Sequence, residues 1–269
     1  MTAPARAPVA DAGQPAAAAL KIPQPPDVRP MRTPRSLPLL AALAIASLTH
    51  AAGALAQAAP DAQDYSPAER IIFMTEHLSA ISPPQTLEYR FRKHGTLEEG
   101  FEDKVALKLS ATDAGTCCDA EADFLSAGRS TTLPEVEGAR ANPVILYFLE
   151  HDVREMNRLT KGQANHFRKR IRMAIYNGAK VEERRAEYAG KSIPVRQVMI
   201  SPYDDDPNRE RFSQYADKDY VFWLSDAVPG GVFGIATHMK SPEAGAEPLM
   251  VEEMFLAGAT PLELAAPGR

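Results

Sequence analysis

Residues 142–178 read NPVILYFLEHDVREMNRLTKGQANHFRKRIRMAIYNG, and this stretch decides the fold. Ile145, Leu149, Val153 and Met156 recur at spacings of three or four, which lays them along one face of a helix opening at Asn142-Pro143. Thr160-Lys161-Gly162 interrupts the pattern, since glycine in a helix interior costs about 1 kcal/mol relative to alanine. A second segment then carries Phe167, Ile171, Ala174 and Ile175 on one side and stops at Asn177-Gly178. The stretch predicts a helical pair, and the sequence on either side of it has a different period.

Upstream, Ser66-Pro67-Ala68-Glu69 combines an N-cap serine, proline at the first helical position and glutamate three residues after the cap. Ile71, Ile72, Met74 and Leu78 follow, predicting a helix over 67–80 that Ser82-Pro83-Pro84 ends. Leu87, Tyr89 and Phe91 then alternate with Glu88, Arg90 and Arg92, the pattern of a half-buried strand, and His94-Gly95 turns the chain. Alternation returns over 100–110 through Phe101, Val105, Leu107 and Leu109, with a short strand over 120–125. Downstream, strands are predicted over 181–188, 194–200, 220–224, 231–239 and 250–256, with a hairpin turn at Pro229-Gly230-Gly231.

Helix, strands, helical pair, strands is the order of an α+β domain: a curved antiparallel sheet forming an open half-barrel, with helices packed on one face. Over residues 67–256 that order resembles the periplasmic lipoprotein-carrier (LolA-like) family, open barrels in which a sheet wraps around helices to hold acyl chains. The resemblance lies in the order of elements and transfers no functional residue. The reading favoured is a non-catalytic protein that binds or carries an apolar or amphipathic ligand between its sheet and its helices; the alternatives are an enzyme using His151 and Glu155 as acid and base, and an envelope assembly or interaction protein.

Near the start, Met31 opens a stretch with Arg32 and Arg35, an uncharged apolar run from Leu37 to Leu48, and the small-x-small pattern Ala54-Leu55-Ala56. These are the three regions of a secretory signal peptide, with cleavage expected after Ala56. The apolar run is shorter than the roughly 20 residues a spanning helix needs. Residues 1–30 are rich in Ala and Pro with few large apolar side chains, so they are expected to be disordered and to precede the true start at Met31. The expected mature protein, 57–269, is a single domain in the periplasm or outside the cell.

Losing residues 1–56 removes five basic and two acidic residues, leaving 25 basic against 33 acidic and a net charge of −8 in place of −5. An acidic chain without a recognition motif is not expected to bind nucleic acid. The two cysteines, Cys117 and Cys118, are adjacent and cannot form the long-loop staple of exported proteins, so they are read as two thiols at a loop or strand edge.

Three clusters carry possible chemistry. Glu150-His151-Asp152, with Glu155 one turn beyond His151, could supply an acid/base pair from His151 and Glu155, with Asp152 as a further candidate; the reading preferred is a solvated face opposite Ile145, Leu149 and Val153. Arg154, Arg158, Lys161, Arg168, Lys169, Arg170 and Arg172 form a basic run that could meet an anionic membrane or an acidic protein, with Arg168, Lys169 and Arg172 at its centre, or pair with Glu182 and Glu183. Asp204, Asp206 and Asn208 have calcium-loop spacing, but the central glycine is missing and Tyr215 stands where the bidentate glutamate would be, so a turn is preferred and no metal is expected. No phosphate loop or serine-hydrolase elbow is present, so no cofactor is expected. Tyr220, Phe222 and Leu224 lie on one face of a strand apolar on both faces, as a core strand or one lining a ligand cavity would be.

Overall fold

Eight strands, β1 Gln85–His94, β2 Phe101–Ala111, β3 Cys117–Phe124, β4 Lys180–Tyr188, β5 Lys191–Ile200, β6 Lys218–Leu224, β7 Val232–Met239 and β8 Met250–Leu256, form one antiparallel sheet in the order β3-β2-β1-β8-β7-β6-β5-β4. The computed structural model describes residues 65–115 and 117–262, all within the compact unit 57–269. The expectations for residues 1–56 lie outside the described residues. Because β1 pairs with β8, two meanders join at the middle of the sheet and leave β3 and β4 as its edges. The edges do not pair, so the sheet stays open. The predicted helical pair, α2 (Val144–Thr160) and α3 (Ala164–Asn177), links one edge to the other and packs on the inner face.

Cross-strand register defines that face. Phe91, Met254, Ile235, Phe222 and Val198 are successive partners from β1 to β5, and all are buried. Leu87 and Tyr89 of β1 and Val105, Leu107 and Leu109 of β2 extend the apolar surface. From α2, Val144, Ile145, Phe148 and Met156 press onto it, with the Phe148 ring 6.4 Å from Phe91. On the other face Trp223 stacks on Phe255 at 5.4 Å and donates to Gln197 Oε1 at 3.0 Å. Gly234 stands between these rings in register, and an added Cβ would lie 2.3 Å from Phe255 Cδ1, so only glycine leaves room for the ring.

The helix ends follow local chemistry. Asn142 accepts from the Val144 N–H through Oδ1 and donates through Nδ2 to Tyr89 Oη and the Gly230 carbonyl, which ties the start of α2 to β1 and the β6–β7 turn. Lys161, with φ 57°, closes α2 in the left-handed conformation next to Gly162, where the sequence breaks the pattern. The first helix is shorter than its predicted range of 67–80. After the Ser66–Glu69 capping box, α1 (Pro67–Glu69) continues as a π-helical turn, Arg70–Met74. Thr75 then donates to the Arg70 carbonyl through both its N–H and its Oγ1, each at 3.0 Å, and its extended backbone ends the helix. Cys117 and Cys118 open the edge strand β3, as expected from their position, but their sulfurs are bonded to each other rather than free.

Candidate functional site

One residue row beyond the apolar row just described, the inner face turns polar. Lys93, Glu252, Thr237 and Tyr220 are successive cross-strand partners on β1, β8, β7 and β6, and Lys218 lies one inward-facing position past Tyr220. α2 sets His151, Asp152 and Glu155 over this row. Asp152 and Lys218 form an ion pair with neither side chain exposed, and Tyr220 Oη donates to Asp152 Oδ2 at 2.6 Å. Tyr203 Oη extends the chain, 3.0 Å from Tyr220 Oη. Lys93 Nζ lies 3.0 Å from Glu155, 3.0 Å from Glu98 and 3.7 Å from Glu252. Arg158 clamps Glu98 and Glu155 at the outer end of this network.

The cluster is held by charge as much as by hydrogen bonding. His151 Nε2 is 3.5 Å from Glu252 Oε1, and neither that nitrogen, nor either Glu252 oxygen, nor Thr237 Oγ1 has a hydrogen-bond partner among the described residues. Burial opposes the Glu252 charge, but His151, Lys218 and Lys93 outweigh it and hold the carboxyl below the usual range. Burial raises Asp152 above its ordinary value, with Lys218 and Tyr220 opposing and Glu252 adding to the rise. For Lys93 the balance favours the cation, because Glu252 and Glu155 overcome desolvation. Glu155, despite partial burial, is pulled to about 2 by Arg158 and Lys93.

These placements correct the solvated-face reading for His151 and Asp152, whereas Glu150 stays at the surface with Arg154 and Arg168. His151 is buried between Phe91 (5.6 Å) and Phe124 (5.2 Å), and Asp152 is fully buried in the core stripe. His151 and Glu155 share no hydrogen bond or ion pair among the described residues. Asp152 and Tyr220 are committed to one another, and Glu155 is committed to two cations and ionised far below neutral pH, which leaves it a poor base. Tyr220, Phe222 and Leu224 pack inside the sheet–helix interface with 1% exposure or less. The Asp204–Asn208 loop is a turn: Asp206 accepts from Asn208 N–H and meets His166 at 2.7 Å, Asp205 pairs with Arg170, and Asp204 lies 3.7 Å from Arg209. Among the described residues no group of three or more His, Cys, Asp or Glu could hold a metal ion.

The basic run is divided. Arg154 and Arg168 both bind Glu150, Arg158 binds Glu98 and Glu155, and Arg170 binds Asp205 and Asp206, so the acids that answer it are not Glu182 and Glu183. Lys169 and Arg172 are exposed and carry no ion pair or hydrogen bond among the described residues.

A groove of about 500 Å³ is lined by residues of α2, α3, the π-helical turn and the 133–136 segment, with no strand residue in its lining. Its floor is Leu149, Val153, Ile171 and Ile175, and its walls are Phe73, Leu146 and the 133–136 segment. Tyr147 Oη donates toward the carbonyls of Pro134 (2.9 Å) and Ala120 (3.3 Å), while Val136 bridges to Ala120, so the outer wall is fastened to both α2 and β3. Arg154, Arg168, Arg172 and Glu150 stand around the opening. Leu146, at 52% exposure, leaves a large apolar side chain in water there. The sequence signal for this groove was Leu146, an apolar residue off the core stripe of α2, together with the arginines of α3.

No protein-family model matches the chain, and a search of curated proteins found no match. Among solved structures, the crystal structure of the Mycobacterium tuberculosis lipoprotein LppX aligns over 74% of this chain and 100% of that one, at 9% identity and a TM-score of 0.31. Similarity that distant says nothing of a ligand, so the functional reading rests on the geometry above.

Proposed function

We propose that the chain is an exported, non-catalytic protein that binds or carries an apolar or amphipathic ligand, held in the groove lined by α2, α3 and the 133–136 segment. The observation that carries this reading is the groove itself: an apolar floor, a fastened wall and a volume within the usual range for small-molecule sites. The interior between sheet and helices, the expected place for a ligand, holds buried side chains and the polar row, which favours the groove as the ligand site. The signal-peptide pattern ending at Ala56 supports an envelope or secreted location, with 57–269 as the mature domain. No helix among the described residues is long and apolar enough to cross a membrane.

Native mass spectrometry of residues 57–269, purified without detergent, tests the reading. Extra mass that disappears on denaturation and extracts into organic solvent is the expected result. The variant Leu146→Arg should lose that mass while melting like the parent, since Leu146 is half exposed. A clean unliganded mass for the parent, together with no uptake of an added apolar dye, would overturn the proposal.

A further inference from the structure

The charges around the groove point to the class of amphiphile, an inference that rests on the ligand reading above. Three guanidiniums, Arg154, Arg168 and Arg172, face the opening against one carboxylate, Glu150. Glu150 already joins Arg154 (3.2 Å) to Arg168 (2.8 Å), and Arg168 holds its carboxyl below the usual range with help from Arg154. Arg172 lies one helical turn beyond Arg168, so it is on the same side of α3, and it has no acidic partner among the described residues. The groove thus pairs an apolar floor with an excess of positive charge at its rim, and one of its three cations has no acidic partner among the described residues.

We infer that the ligand is a single-chain anionic amphiphile, its chain along the floor and its carboxylate or phosphate on Arg172, with Arg168 beside it. Guanidinium matches both head groups bidentately, which a neutral head group cannot exploit. A volume of about 500 Å³ suits one chain better than a two-chain lipid. Because the rim is exposed and screened by salt, the preference is moderate, about tenfold for the anion over a neutral head group at low ionic strength.

Displacement of a naphthalene dye from the mature protein measures this, with palmitate, the corresponding lysophosphatidate and the neutral monoglyceride as competitors. Expected is a roughly tenfold preference for one or both anions over the glyceride, and loss of that preference in Arg172→Glu. The two anions, ranked against each other, identify the head group. Equal displacement by all three, or an Arg172→Glu variant that weakens them all equally, would overturn the anion inference and leave the groove reading standing. If none of the three displaces the dye, or if Leu146→Arg changes nothing, the groove reading itself fails and the inference with it.

Discussion

Replacing Lys218 with methionine should be among the most damaging single changes available to this domain. The side chain is fully buried and its ammonium pairs with an equally buried Asp152, so methionine conserves the apolar stem and removes only the charge. What remains is a carboxylate with one hydrogen bond, from Tyr220, beside the negative charge of Glu252. Removing one partner of a buried pair costs about 3–5 kcal/mol, against a total stability of about 5–15 kcal/mol for a natural domain. At about 2–4 °C per kcal/mol for this size, the melting temperature should fall by about 6–20 °C. Trp223 is the single tryptophan, buried and stacked on Phe255, so its fluorescence reports urea unfolding directly. Two internal checks follow. The double variant Lys218→Met/Asp152→Asn, with no charge left unpaired, should recover much of the loss. The Lys218→Met deficit should also shrink as the pH falls from 7 to 5: without Lys218 the carboxyl, already raised by burial, rises further, and protonating it in the folded state relieves the penalty. A Lys218→Met deficit under about 1 kcal/mol, or one insensitive to acid, would refute the buried pair as described.

Gly234→Ala should destabilise by about 1–3 kcal/mol and shift Trp223 emission, because the added methyl displaces the Phe255 ring from its stack; an unshifted spectrum with unchanged melting would show the contact is not as tight as drawn. Asn142→Ala removes the bond to Val144 N–H and leaves Tyr89 and the Gly230 carbonyl short of a donor, at about 2–4 kcal/mol by urea melts. His77 is fixed as a neutral ring, accepting from Asn142 N–H at Nδ1 and facing the Ile71 carbonyl through Nε2, and burial holds its pKa below the ordinary value. The unfolded chain therefore takes up a proton that the folded ring refuses, so stability is full above about pH 7 and falls as the pH drops below about 6.5. In His77→Gln, which can keep both hydrogen bonds, the slope over that window should flatten, and an unaltered slope would move its origin elsewhere.

Much of this fold was legible because its two periods are clean. Leu87, Tyr89 and Phe91 alternate, Ile145, Leu149, Val153 and Met156 follow the helix, and Lys161-Gly162 separates the two helices where left-handed backbone is required. The first helix was read too long because Leu78 continues the apolar spacing past Thr75, and spacing alone carries no record of a side chain that closes a wider turn on the Arg70 carbonyl. The buried charges depart from the solvated-face expectation, yet the sequence does mark them. Asp152 sits four residues from both Phe148 and Met156, inside the apolar stripe of its helix. Lys218 precedes Tyr220, Phe222 and Leu224 in alternation, Lys93 follows Leu87, Tyr89 and Phe91, and Glu252 stands between Met250 and Met254. Two cations and two anions each interrupt an otherwise apolar stripe, and a lone charge at such a position is too costly to bury unpaired. Their equal number is the sign that they answer one another inside the domain. Which meets which is decided by tertiary placement: the pairing of β1 with β8 sets Lys93 beside Glu252, and the docking of α2 over β6 brings Asp152 to Lys218. Periodicity locates such positions, whereas the partners depend on strand order and helix docking, which lie between segments and are absent from either one read alone.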